Sequence, residues 1–185
     1  GLFPELGLKQ EELPKLDNPS FHIHKGNIPD INFSLSYSLL LNLASACNPE
    51  NDAVLWGFIS KYQSGLTKEN APLLAKMVHS AINYYNDFIK KNKQYRQANA
   101  EEILALKELK ESLKAVTKAQ AQDGQALQNL VFQVGKNHGF EKNMREWFLT
   151  LYQVLLGQDQ GPRMGSFIAL FGIDDFVKLL DKAVQ

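Results

Sequence analysis

From Ser34 onward, apolar residues recur every three or four positions, and Gly, Pro and Asn punctuate them. No stretch of four or more residues alternates in the manner of a strand. A three-to-four residue period is the period of a helix with one buried face. The pattern therefore predicts an all-α protein, a two-lobed bundle of about eight helices around shared apolar stripes. The prolines divide the chain differently. Four of the seven lie within residues 1–30 (Pro4, Pro14, Pro19, Pro29), where periodicity is weak. That segment reads as an extended linker and wrap, residues 31–118 as a first lobe, and 119–185 as a C-terminal lobe.

The stripes can be placed. Leu35, Leu39, Leu43 and Ala46 mark a first helix. Asn48 and Pro49 suit the cap and opening of a second, through Leu55, Phe58, Ile59 and Tyr62. The clearest stripe runs Leu74, Met77, Val78, Ala81, Ile82, Tyr85, Phe88 and Ile89, behind a cap at Thr67 or Asn70. Asn99 and Glu102 form a capping-box pair ahead of Leu106, Leu109, Leu113 and Val116. Four shorter helices follow, ending near Gly139, Gly157, Gly172 and the C-terminus.

Hydrophobic residues make up 44% of the chain, enough for a packed core. Twenty basic residues balance twenty acidic ones, which disfavours a protein given wholly to nucleic acid but allows a local basic face. Cys47 is the only cysteine, so no disulfide framework forms within the chain, and a reducing, cytoplasmic setting is expected. No apolar run nears the ~20 residues of a membrane span, and no secretory leader is evident. The chain opens on Gly rather than Met, so a piece of a longer protein is expected.

Catalytic and metal motifs fare poorly. His22 and His24 in "FHIHKG" lack companion ligands. "VGKNHG" lacks the glycine frame and the hydroxyl of a phosphate loop. Lys90, Lys91, Lys93 and Arg96 crowd the end of the third helix, where a dipole favours cations, and Tyr95 interleaves an aromatic. Trp56 lies off the stripe of its helix, while Trp147 lies within one.

"GQDQGPRMG", residues 157–165, is the least ordinary turn. It places Arg163 in the first turn of a helix, where the dipole disfavours a cation by about 0.3–1 kcal/mol. It also places Gly165 inside that helix, at a cost of ~1 kcal/mol relative to Ala. Two explanations stay open. Arg163 and the free N–H groups could receive a phosphate or a base edge. Alternatively, Arg163 pairs with Asp159 or a buried carbonyl, and Gly165 lets two helices approach.

Four blocks, "NPSFHIHKGNIP", "SLLLNLASACNPENDAVLWGFISKY", "VFQVGKNHGF" and "WFLTLYQVLLGQDQGPRMGSFIALFGID", resemble the C-terminal part of class I lysyl-tRNA synthetases. The resemblance covers residues 17–185 and implies an α-helix cage that binds the anticodon of a lysine tRNA. It implies that the whole enzyme activates lysine with ATP and magnesium and transfers it to tRNA from a catalytic domain upstream. Neither signature of that domain occurs here, so this piece is expected to hold no cofactor and no catalytic residue. DNA and membrane are not expected partners. Position and chemistry then nominate Arg163, Gln158 and Gln160 for the anticodon, with Lys136, His138 and Arg145 on the same surface. The rival expectation is a helical protein–protein module, using Trp56 and Lys90–Arg96.

Overall fold

Caps and glycines cut the chain into helices close to the expected places. The structure is a computed structural model that describes residues 32–184, with a compact unit beginning at Leu35. It is all-α, and no strand occurs among the described residues. The helices are α1 (Tyr37–Cys47), α2 (Asp52–Tyr62), α3 (Pro72–Tyr84), α4 (Ala100–Lys114) and α5 (Lys118–Gln122). They continue with α6 (Gly124–Asn137), α7 (Met144–Leu151), α8 (Met164–Phe171) and α9 (Ile173–Ala183). The expected linker 1–30, with His22 and His24, lies outside the described residues.

Local chemistry explains most boundaries. The Asn99 side chain accepts from the Glu102 N–H at 2.9 Å, and Glu102 accepts from the Asn99 N–H at 2.8 Å, closing the capping box of α4. Thr117 and Gln120 form a second such box, which makes the short α5 that the apolar pattern does not reveal. Asn48 does not cap α2. It takes a left-handed conformation at the end of α1, and Asn51 caps α2 through the Ala53 N–H. Thr67 and Asn70 bond each other in the turn before α3, whose own start has Pro72 and no side-chain cap.

The core centres on α8, whose Met164, Gly165 and Phe167–Phe171 are all buried. A helix apolar on every side belongs in the middle. Phe167 stacks on Phe171 at 5.3 Å and meets Phe176 of α9 edge-on at 6.1 Å. α8 packs on α1, α2, α6 and α9, while α4 packs on α6 and α9. Helices on either side of residue 118 therefore share one core. The stripe of α4 belongs to this core, with Leu106, Leu109 and Leu113 fully buried. In α1 the buried face is Leu40, Leu43 and Ala44.

Gly165 marks the tightest crossing. A Cβ there would lie 2.1 Å from the Gly124 carbonyl oxygen and 2.4 Å from the Gln128 nitrogen. Both obstacles are backbone of α6, so neither yields easily. The Gly165 N–H also donates to Gln128 Oε1 at 2.7 Å within the contact. Gly165 thus serves helix packing, and its buried position gives no room for a ligand. Gly165→Ala is expected to destabilise the fold by about 1–3 kcal/mol, as overpacking does. A urea melt unchanged by the substitution would contradict this packing account.

Candidate functional site

Residues 93–99 leave the helical period and run as a strap between α3 and α4. Arg96 fixes it. Its guanidinium reaches both carboxylate oxygens of buried Glu102, at 2.6 and 2.7 Å. The same group donates to Thr150 Oγ1 at 3.0 Å and to Gln153 Oε1 at 2.7 Å. Thr150 in turn donates to Glu102 at 2.6 Å. Gln153 passes the connection on, donating to Asp159 at 2.8 Å. One side chain therefore joins the strap, the start of α4, the end of α7 and the turn after it. The Arg96 fork holds the Glu102 carboxyl down to about 2 against the pull of burial, and bonds from Thr150 and the Asn99 N–H help.

Two π turns frame the surface beside this hub. In Tyr85–Ile89, the Lys90 N–H donates to the Tyr85 carbonyl; in Tyr152–Leu156, the Gly157 N–H donates to the Tyr152 carbonyl. Each wide turn shifts the residues after it away from the 3.6-residue register. Phe88, expected in a buried stripe, is consequently 59% exposed. It lines a groove of about 660 Å³ with Lys93, Tyr95, Gln153, Gln158 and Gln160. A second groove of about 840 Å³ is lined by Arg145, Phe148, Tyr152, Gln153, Asp159 and Gln160. The two share Gln153, Asp159 and Gln160, which form the ridge between them.

The glycines of "GQDQG" seat tyrosines. A Cβ at Gly157 would lie 3.1 Å from the Tyr95 ring, and one at Gly161 would lie 2.3 Å from the Tyr152 ring. Gly157 is also left-handed, with φ 67°. Its carbonyl accepts from the Gln94 N–H at 3.0 Å, pinning strap to turn. Lys93 donates to the Tyr95 hydroxyl at 2.7 Å and sits 5.1 Å from the ring centroid. Those two distances place the ammonium at the hydroxyl end, off the ring face. Tyr95 therefore rests one face on Gly157 and stays 59% exposed overall. Lys93 and Gln158 both anchor on Ser45 of α1, to its carbonyl and its hydroxyl, each at 2.5 Å.

The six nominated residues do not form one surface. Gln158 and Gln160 line the first groove; Gln160 and Arg145 line the second. Arg163 lies in neither. It occupies the capping position of α8, one residue before the first turn. Its partner is Gln125 at the start of α6, not Asp159. Lys136 and His138 lie at the other end of α6, about 16 Å away along the helix. His138 contacts Glu108 of α4 at 2.7 Å, and hydrogen bonds from Asn137 and His138 hold the Glu108 carboxyl below its ordinary range. Lys136 is exposed. Lys93 and Arg96 are on the strap, beyond the third helix rather than within its last turn.

Trp56 is 7% exposed, which removes it as the contact residue of an interaction module. No group of three or more metal-ligating side chains occurs among the described residues. Burial pushes the Cys47 thiol up to about 12, so it is no nucleophile at neutral pH. No helix is long and apolar enough to cross a membrane among the described residues.

Comparison with known proteins adds what geometry alone does not. Over 175 residues, 94% of this chain, it is 42% identical to a lysine–tRNA ligase of Rickettsia massiliae. Lysine–tRNA ligases of Rickettsia felis and Rickettsia bellii are 41% and 40% identical over 94% and 95% of the chain. Over nearly its whole length the chain is thus similar to a segment of lysine–tRNA ligases. It spans 33% of the length of those relatives. No family model matches it. Sequence reasoning singled out the glutamines and Tyr95 but missed Phe88, Phe148, Tyr152 and Gln153. Phe88, Tyr152 and Gln153 lie in π turns, which leave no mark in an apolar pattern.

The hub makes a pH prediction. Glu102 titrates lower folded than unfolded, so its contribution is complete above the ordinary carboxylate range near 4.5 and is lost as pH falls through about 2. Glu102→Gln is expected to cost about 1–3 kcal/mol at pH 7 and to flatten this acid limb. Denaturation curves from pH 7 to pH 2 check it; parallel limbs in both proteins would contradict it.

Proposed function

We propose that this chain is the anticodon-binding, C-terminal portion of a class I lysine–tRNA ligase. In this reading, the two-groove face around Gly157–Gly161 is where lysine tRNA lies. One observation carries the placement: aromatics, of which Phe88 and Tyr95 are exposed, glutamine amides and the cations Lys93 and Arg145 line neighbouring grooves. Unpaired RNA bases can be splayed, stacked on aromatic rings and read at their edges by such groups. Similarity to lysine–tRNA ligases supports lysine tRNA as that RNA.

Gln158, Gln160 and Arg145 belong to that face. Arg163 touches a phosphate or base of the same loop, giving up Gln125 to do so. Lys136 and His138 form a separate, outlying contact with the RNA backbone. Activation of lysine with ATP and magnesium, and its transfer to tRNA, belong to a catalytic domain elsewhere in the whole protein. This chain supplies binding and orientation to that reaction. The setting is the cytoplasm, where translation needs it. The balanced charge of 20 against 20 fits a segment that shares tRNA affinity with another domain.

Fluorescence anisotropy tests the reading. The chain is titrated against a lysine tRNA transcript and the same transcript with a changed anticodon, at two salt concentrations. Tighter binding of the lysine anticodon is expected at both, with overall affinity falling as salt rises. Equal binding that vanishes with salt would overturn it. Arg163→Ala is expected to weaken tRNA binding several-fold with its melting temperature unchanged; equal loss of both would assign Arg163 to packing.

A further inference from the structure

A buried serine holds two walls of the first groove without lining it. Ser45, in the last turn of α1, is 1% exposed and lines neither groove. Its carbonyl accepts from Lys93 of the strap, and its hydroxyl accepts from the Gln158 amide of the turn after α7. Lys93 and Gln158 both line the first groove. A carbonyl is common to every residue, so the anchor of Lys93 does not depend on the side chain at this position. The hydroxyl is what serine adds, and it holds Gln158. The next side chain of the turn is held as well, since Gln153 donates to Asp159 at 2.8 Å. Gln160 differs. It is exposed, lines both grooves, and its side chain makes no hydrogen bond among the described residues. A free amide on an otherwise tethered turn is available to a ligand, and the tethers spare binding the cost of ordering that turn.

We infer that Ser45 is a positioning residue for RNA binding: through Gln158 it sets the turn 157–161 against the strap, so that Gln160 and Tyr95 meet the ligand in a fixed arrangement. This rests on the RNA reading proposed above. Ser45 is buried, so its effect on RNA passes through Gln158. Gln158 acts as a tether, bonded to Ser45 rather than to RNA. Gln160 makes the contact, and because an amide both donates and accepts, it confers no preference among bases.

The test titrates labelled lysine tRNA with the chain and with Ser45→Ala, Gln158→Ala and the double variant, well below their melting temperatures. Each variant is expected to bind roughly three- to tenfold more weakly, the worth of one hydrogen bond. The double variant should be no weaker than either single one, as for two groups acting through one bond. The salt dependence should not change, because no phosphate contact is lost. Without RNA, amide hydrogen exchange should quicken over residues 157–161 and not in α8, separating a loosened turn from a loosened core. Unchanged affinity in Ser45→Ala would overturn the inference. So would a Gln158→Ala loss far larger than that of Ser45→Ala, which would make Gln158 a contact. If Ser45→Ala does not fold, Gln158→Ala decides, at a partly exposed position: weaker binding without faster exchange at 157–161 overturns the inference. Each of these results leaves tRNA bound and spares the RNA reading; an unaltered chain that does not bind lysine tRNA defeats both.

Discussion

Arg96 and Glu102 hold together the parts of the chain from which the grooves are made. The carboxylate is buried, and burial of an unpaired charge is expensive. It is tolerated because a guanidinium fork, a threonine hydroxyl and a backbone N–H all bond to it. The guanidinium has donors left over, and one reaches Gln153. The strap thereby fixes Tyr95 above Gly157, while Gln153 aims Asp159 from the opposite side. Glu102, which begins as part of a helix cap, becomes with Arg96 the frame of a surface. The orientation of that surface rests on charge and hydrogen bonds rather than on apolar packing.

The odd composition of residues 157–165 divides into two explanations. Gly165 is set by packing, because α6 backbone occupies the space a side chain would need. Gly157 and Gly161 are set by the two tyrosine rings that stand against them. Between those two glycines, Gln158, Asp159 and Gln160 are raised on a short ridge with an aromatic on either side. Arg163 falls outside this arrangement, on a polar contact between α6 and α8. The same nine residues thus serve the core at one end and the surface at the other.

The all-α fold was legible because its signals are local. Capping at Asn99–Glu102 and the stripes of α3 and α4 follow from spacing alone. The errors have local causes too. Asn48 resembles a cap but adopts a left-handed ending, which Asn allows. Phe88 continues a stripe on paper, yet a π turn rotates it outward. The site was legible only in part. Gln158, Gln160 and Tyr95 stood out by residue type, whereas Arg163, Lys136 and His138 were grouped by nearness to helix ends. Helix α6 then separates Arg163 from the other two, and no sequence spacing encodes which end of a helix faces which neighbour. Similarity to lysine–tRNA ligases covers the chain as a segment of longer proteins; it does not say which face would meet RNA.

The most direct test of that face is photo-crosslinking of lysine tRNA carrying 4-thiouridine in the anticodon, followed by peptide mapping of the adducts. The account predicts adducts on Tyr95 or within residues 157–161, lost when excess unlabelled lysine tRNA competes. Adducts confined to the Lys136–His138 end of α6, with none on the strap or the ridge, would contradict it.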